Sequence, residues 1–306
     1  MKKRDLLSIG DLSPQETVQL VNRAMALKAD AQGLPLAGKS VAMLFEKPSL
    51  RTRVSFDVAV KQLGGHSIYL GREEVGLGSR EATKDVARVL SRYVDAIVAR
   101  VYAHQTLEEL ASHASVPVIN ALSDAEHPCQ ALGDLLTMRE HLGPLEGLRI
   151  AFIGDGNNVA ASLALAAAAV GARFVIASPP GYELPDDVVA RARMLSGGRA
   201  GSVRQVADPV EAAQGSAVIY TDVWVSMGQE AETDKRRNDF RGYQVSAALM
   251  AMGKPGAIFM HPLPAHNGEE VADGMLEHPQ SVVFDQAENR LHAQKAVMEF
   301  LLSAKG

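Results

Sequence analysis

The sequence predicts an α/β fold of two doubly wound domains, each a parallel sheet flanked by helices, with the final helix packing back on the N-terminal domain. Three observations carry this. Apolar runs of strand length alternate with segments of helical period, glycine and proline punctuate the alternation, and 306 residues are long for a single core.

The first half opens with Ser13 and Glu16, a capping box ahead of a helix over 14–28 with apolar positions at Val18, Val21, Met25 and Leu27. A buried strand is expected over 39–46, and after the turn at 47–50 a helix over 51–63 that stops at Gly64–Gly65. Strands over 66–70, 96–100 and 116–120 then alternate with helices over 81–93 and 106–115. A helix over 130–141, ended by Gly143–Pro144, connects the halves.

The second half begins with an apolar strand over 148–153, then Gly154-Asp155-Gly156-Asn157-Asn158, an Ala-rich helix over 159–170 and a strand over 173–177. Further strands over 217–221 and 257–260 each run into a polar motif, and a last helix spans about 290–302. The expected domains are therefore 1–142 with 288–306, and 143–287. In open parallel sheets, ligands bind where strands end, so the motifs at those ends are the candidates for chemistry.

Composition narrows the function. A hydrophobic fraction of 47% with 22% charged residues suits an ordinary globular protein and argues against disorder. A net charge of -5 without basic runs argues against nucleic acid as partner. No segment approaches 18 uninterrupted apolar residues, and the N-terminus lacks a signal peptide's apolar stretch, so a cytoplasmic location away from membranes is expected. The single cysteine, Cys129, forms no internal disulfide and no Cys-based metal site, and neither cofactor nor metal is expected.

Ser49-Leu50-Arg51-Thr52-Arg53 places hydroxyls and guanidiniums where a strand gives way to a helix start, which suits a phosphate. The alternative is an N-cap serine with surface arginines. Arg100 ends a buried strand, and His127-Pro128-Cys129-Gln130 starts the connecting helix; Cys129 reads as a packed small residue. The glycines at 154 and 156 invite a dinucleotide-binding reading. The fingerprint's third glycine would fall at Val159, and the acidic residue expected about twenty positions on is not evident after Ile176. Asp222 with the turn that follows it, through Ser226-Met227-Gly228, can hold the α-ammonium and α-carboxylate of an amino acid.

Taken in order, these segments resemble the aspartate and ornithine carbamoyltransferase family, over essentially the whole chain. SLRTR is similar to the family's S-T-R-T-R, with Leu50 in place of a threonine; HPCQ is similar to H-P-x-Q, DVWVSMG to the ornithine loop D-x-x-x-S-M-G, and FDQAENR to F-x-Q-A-x-N-R. His261-Pro262-Leu263-Pro264 departs from the H-C-L-P usual in ornithine enzymes and matches the aspartate form.

The resemblance implies that Ser49, Leu50, Arg51, Thr52 and Arg290 bind the phosphate of carbamoyl phosphate, and that Arg100 and His127 act on its carbonyl. Gln130 and the carbonyls of Pro262 and Leu263 would orient its NH2, while Asn158, Asp222, Ser226 and Met227 bind L-ornithine. It further implies a cis Leu263–Pro264 bond and a homotrimer in which the 71–85 segment enters a neighbour's site, with Gly76 where relatives often carry a side-chain ligand. Rival readings are an aspartate acceptor, suggested by HPLP, and a silent relative that binds carbamoyl phosphate, suggested by Leu50 and Pro262.

Overall fold

A computed structural model describes residues 3–30, 33–77, 80–197, 202–226 and 228–303. Two compact units divide the chain, Met1–Leu136 with Glu288–Gly306, and Thr137–Ala287.

In the first unit α1 (Pro14–Ala29) precedes β1 (Ser40–Phe45), α2 (Leu50–Gln62), β2 (His66–Gly71), α3 (Arg72–Val75), α4 (Thr83–Leu90), β3 (Ala96–Arg100), α5 (His104–His113) and β4 (Val118–Leu122). The strands pair in parallel in the order β2-β1-β3-β4. Both expected caps form: Ser13 and Glu16 close the capping box on α1, and Ser49 caps α2 by accepting from Thr52 N–H. The predicted helix over 81–93 is shorter. Leu77 bridges to Glu81, α4 starts at Thr83, and Ser91 turns its hydroxyl onto the Ala87 carbonyl at the helix end. Gly78 and Ser79 of the 71–85 segment lie outside the described residues.

The chain enters the second unit within α6 (Pro128–Leu142). There β5 (Arg149–Ile153), α7 (Asn158–Ala169), β6 (Arg173–Ala177), α8 (Asp186–Leu195), β7 (Val203–Val206), α9 (Pro209–Ala213) and β8 (Val218–Thr221) follow, then α10 (Thr233–Asp239), α11 (Ala247–Met250) and β9 (Ile258–Met260). These strands are also all parallel, in the order β7-β6-β5-β8-β9. α8 and β7 escape the periodicity reading because Asp186–Leu195 carries charge on most of its turns and β7 alternates too briefly. α7 is buried on every side, as its near-continuous Ala and Leu requires.

The last helix, α12, runs Val283–Leu302, seven residues earlier than expected at its start. Its second part belongs to the first unit and holds α1: Arg23 makes a paired 2.9 Å contact with Glu299, and Lys28 donates to Asn289 at 2.8 Å. No helix among the described residues is long and apolar enough to cross a membrane.

Candidate active site

In the first unit the candidate residues converge on Thr52, in the first turn of α2. Arg290 Nη2 donates to its Oγ1 at 2.6 Å and Arg100 Nη1 lies 3.5 Å away. β1 delivers α2, the end of β3 delivers Arg100, and α12 delivers Arg290. Gly133 in α6 makes that last approach possible: a Cβ there would sit 3.3 Å from the Arg290 backbone. Ser49 Oγ is occupied as the cap at 3.2 Å from Thr52 N–H, whereas Leu50 and Arg51 present first-turn N–H groups without intrahelical acceptors. Leu50, the residue that departs from the family pattern, is 76% exposed.

The electrostatics are those of a cluster of cations, each acting on its neighbours. Burial first, then Arg290 and Arg51, lower the Arg100 guanidinium to about 10. Burial, followed by Arg290 and Arg100, holds His127 well below its usual range, so its imidazole is neutral at physiological pH. Arg51 is likewise lowered by burial. Arg100 Nε, buried, has no acceptor. Close-set, desolvated guanidiniums are costly unless a ligand supplies the missing anion.

Gln130 adds the opposite polarity. Its Nε2 donates to Asp134 Oδ1 at 2.8 Å, which fixes the amide's orientation because a carboxylate only accepts. Oε1 is left buried and without a donor. Cys129 lies beside it fully buried, its thiol pushed up to about 12 by burial despite Arg290, and its Sγ is 3.7 Å from the Asn120 carbonyl. It is a packed thiol, as expected.

In the second unit the strand-end loops form a different site. Asp222 follows β8 with 8% exposure. Burial raises its carboxyl, and Glu270 adds to the rise, while His261, Asn157 and the Val223 N–H oppose it. Asn157 is the residue the sequence reading missed. It caps α7 through Oδ1, accepting from Val159 and Ala160 N–H, and its Nδ2 donates to Asp222 Oδ2 at 2.9 Å. An Asn directly before an apolar helix is an N-cap signature that could have found it. Asn158 is the first residue of α7 and half buried.

Arg236, in α10, was also missed. Its buried guanidinium donates to Asp155 Oδ2 at 2.8 Å, to the Trp224 carbonyl at 3.0 Å and to Glu232 at 2.9 Å. It thereby ties the loop after β5 to the loop after β8. Trp224 stacks on Phe240, with centroids 5.7 Å apart. Ser226 N–H donates to Gln229 Oε1 at 3.1 Å. Met227 lies outside the described residues.

After β9, His261 Nδ1 accepts from Leu263 N–H at 2.9 Å, which leaves Nε2 to donate to Glu270 Oε1 at 3.1 Å. Pro262 is buried, Leu263 has φ of 60°, and Leu263–Pro264 is cis as expected. Gly156 finds its reason in packing: a Cβ there would lie 2.5 Å from the Glu183–Leu184 backbone. The second glycine of the loop is thus accounted for without a dinucleotide.

Comparison with known proteins agrees over the full length. The profile described as "Aspartate/ornithine carbamoyltransferase, carbamoyl-P binding domain" matches residues 4–140, and that of the "Asp/Orn binding domain" matches 146–301. An ornithine carbamoyltransferase of Pyrococcus abyssi is 52% identical over 306 residues, 99% of this chain and 96% of that protein. One from Acidothermus cellulolyticus is 52% identical over 305 residues, 99% of this chain and 98% of the relative. The solved ornithine carbamoyltransferase of Pyrococcus furiosus superposes with a TM-score of 0.95 at 49% identity, covering 99% of this chain and 98% of the other.

Proposed function

We propose that this chain, which belongs to the aspartate/ornithine carbamoyltransferase family, transfers the carbamoyl group of carbamoyl phosphate to the δ-amine of L-ornithine, giving L-citrulline and phosphate in arginine biosynthesis. The observation that carries it is the pattern of unmet polarity among the described residues of the first unit: the buried Arg100 Nε, which only donates, and a buried amide oxygen, Gln130 Oε1, which only accepts. A phosphate ester bearing an NH2 group answers both demands at once.

In this reading Ser49, Thr52, Arg51, Arg290 and the Leu50 N–H hold the phosphate. Arg100 and neutral His127, with Thr52, polarise the carbonyl and stabilise the oxyanion of the tetrahedral intermediate. Gln130 and the carbonyls of Pro262 and Leu263 orient the carbamoyl nitrogen. Asn158, Asp222, Ser226 and Met227 hold ornithine by its α-groups, leaving the far amine to attack. That amine, with a free pKa of about 10, must first lose a proton. That proton goes to solvent before attack; Pro262 offers no thiol, and the second proton, shed by the nitrogen once the C–N bond has formed, leaves with the departing phosphate.

An aspartate acceptor fits less well. It would bring a second carboxylate toward Asp222, whose ionised form is already disfavoured by burial and by Glu270. The test is to measure ureido product with ornithine, aspartate and putrescine as acceptors. Turnover with ornithine alone is the expected result, and turnover with aspartate alone would overturn the assignment. Binding of carbamoyl phosphate in calorimetry without turnover would make the chain a silent relative. We further assign a cytoplasmic homotrimer, for which light scattering should return three times the 32.7 kDa chain mass.

A further inference from the structure

The loop after the His261–Leu263 turn holds a group of ligands that the reaction does not use. His266, Glu269 and Glu270 each offer one atom, an imidazole nitrogen or a carboxylate oxygen, and the three atoms lie within 4.8 Å of one another. The backbone sets them there: Glu269 N–H donates to the His266 carbonyl at 3.0 Å and Gly268 N–H to the Val271 carbonyl at 2.9 Å. Gly268 takes φ of 85°, which closes the turn.

Glu270 is the informative member. Its side chain is fully buried. Oε1 accepts from His266 N–H at 2.6 Å and from His261 Nε2 at 3.1 Å, but Oε2 has no hydrogen-bond partner. A buried carboxylate oxygen without a donor is costly, so a charge or donor is missing beside it. His266 Nδ1 stands 3.8 Å from that oxygen. That is too far for a hydrogen bond. It is instead within reach for two ligands of one ion: metal distances of about 2.0–2.2 Å to nitrogen and oxygen allow ligand pairs up to roughly 4.2 Å apart. Glu269 supplies the third position. Arg237 engages its Oε1, at 2.6 Å from Nη2 and 3.1 Å from Nε, and Oε2 is the oxygen left to point at an ion.

We propose that His266, Glu269 and Glu270 bind a divalent transition cation of the zinc class, with water completing the shell. One imidazole and two carboxylates favour zinc, cobalt or manganese over calcium, which takes oxygen ligands in larger number. The His266 side chain is 47% exposed, so the ion enters from solvent, and closing the ligand set needs side-chain movements of about 1 Å or less at its rim. The site is built from one loop.

The test uses the full chain, stripped with chelator and titrated with Zn2+ by calorimetry, then loaded with Co2+ and read by visible absorption. The expected result is one ion per chain, with His266→Ala and Glu269→Gln each weakening binding by about tenfold or more and removing the Co2+ ligand-field bands. His266 is at the surface, so metal-free His266→Ala should melt with the parent, whereas Glu269→Gln, which also weakens the pair with Arg237, is read by its metal affinity relative to its own melting point. Other histidines also bind zinc weakly, so the subtraction decides: unchanged affinity in both variants, or no binding by the parent above the His266→Ala background, overturns the site.

Discussion

The two half-sites solve the problem of buried charge in opposite ways. Around Thr52, like charges are gathered, and burial together with neighbouring guanidiniums pushes Arg100 down to about 10. Around Asp222, charge is met within the protein: Asn157 holds the carboxylate, and Arg236 bridges Asp155 and the Trp224 carbonyl. The first arrangement stores a demand for a dianion. The second is a frame of polar groups already partnered within the protein.

Breaking the uncompensated side should have the largest effect. Arg100→Met is expected to lower kcat by about 10²- to 10³-fold, because it removes a donor aimed at the developing oxyanion. Since the charged form of Arg100 is disfavoured in the fold, the same variant should melt higher, by about 2 °C. A melting point that falls together with kcat would mean the arginine holds structure, and the contrast between the sites would fail.

On the compensated side, Asp222→Asn should raise the ornithine KM by about 10- to 100-fold, the loss of one charge-assisted contact, with the carbamoyl phosphate KM nearly unchanged. Equal increases for both substrates would remove Asp222 from ornithine recognition. Arg236 differs in kind. Burial opposes its charge, but Asp155 and Glu232 more than offset that and its guanidinium is raised overall. Arg236→Met should therefore lower the melting temperature and raise the ornithine KM by roughly tenfold, with partial rescue by Arg236→Lys, which keeps a charge but not the fork that spans two loops.

A smaller effect concerns protonation. With its folded pKa well below 6.5, His127 stays neutral through pH 6 while the unfolded chain takes up a proton there, so acidification below about 6.5 costs stability. An NMR titration of the His127 ring should show no inflection between pH 6 and 8, and Arg290→Met should move its pKa upward. The smallest effect lies far from either site. Arg4 hydrogen-bonds Glu16 and lowers its carboxyl to about 2. The lowered pKa stabilises the fold above about pH 4.5 and ceases to do so as pH falls toward 2. Arg4 is 40% exposed, so Arg4→Met should cost less than about 1 kcal/mol at pH 7, a difference that vanishes by pH 2 in urea melts.

Much of this was legible from residues. The βα alternation gave β3 and β6 with their observed bounds, the capping box gave the start of α1, and SLRTR, Arg100 and HPCQ pointed to one anion site. Other features had no local mark. Arg236 sits in a Lys-Arg-Arg run that reads as solvated surface, yet Arg237 is exposed while Arg236 is buried, a choice made by Asp155 and Trp224 from distant strands. Asn157 and Asn158 are adjacent and chemically identical, and only the start of α7 separates a capping residue from a helical one.

The sequence alone determined most of the element types and the candidate chemistry, because periodicity, caps and turn residues act over a few neighbouring positions. Tertiary structure decided which charges are answered and which are left open. Which partners Arg100 and Arg236 find depends on segments tens of residues away, and burial decides that Gln130 Oε1 and Glu270 Oε2 are cut off from solvent.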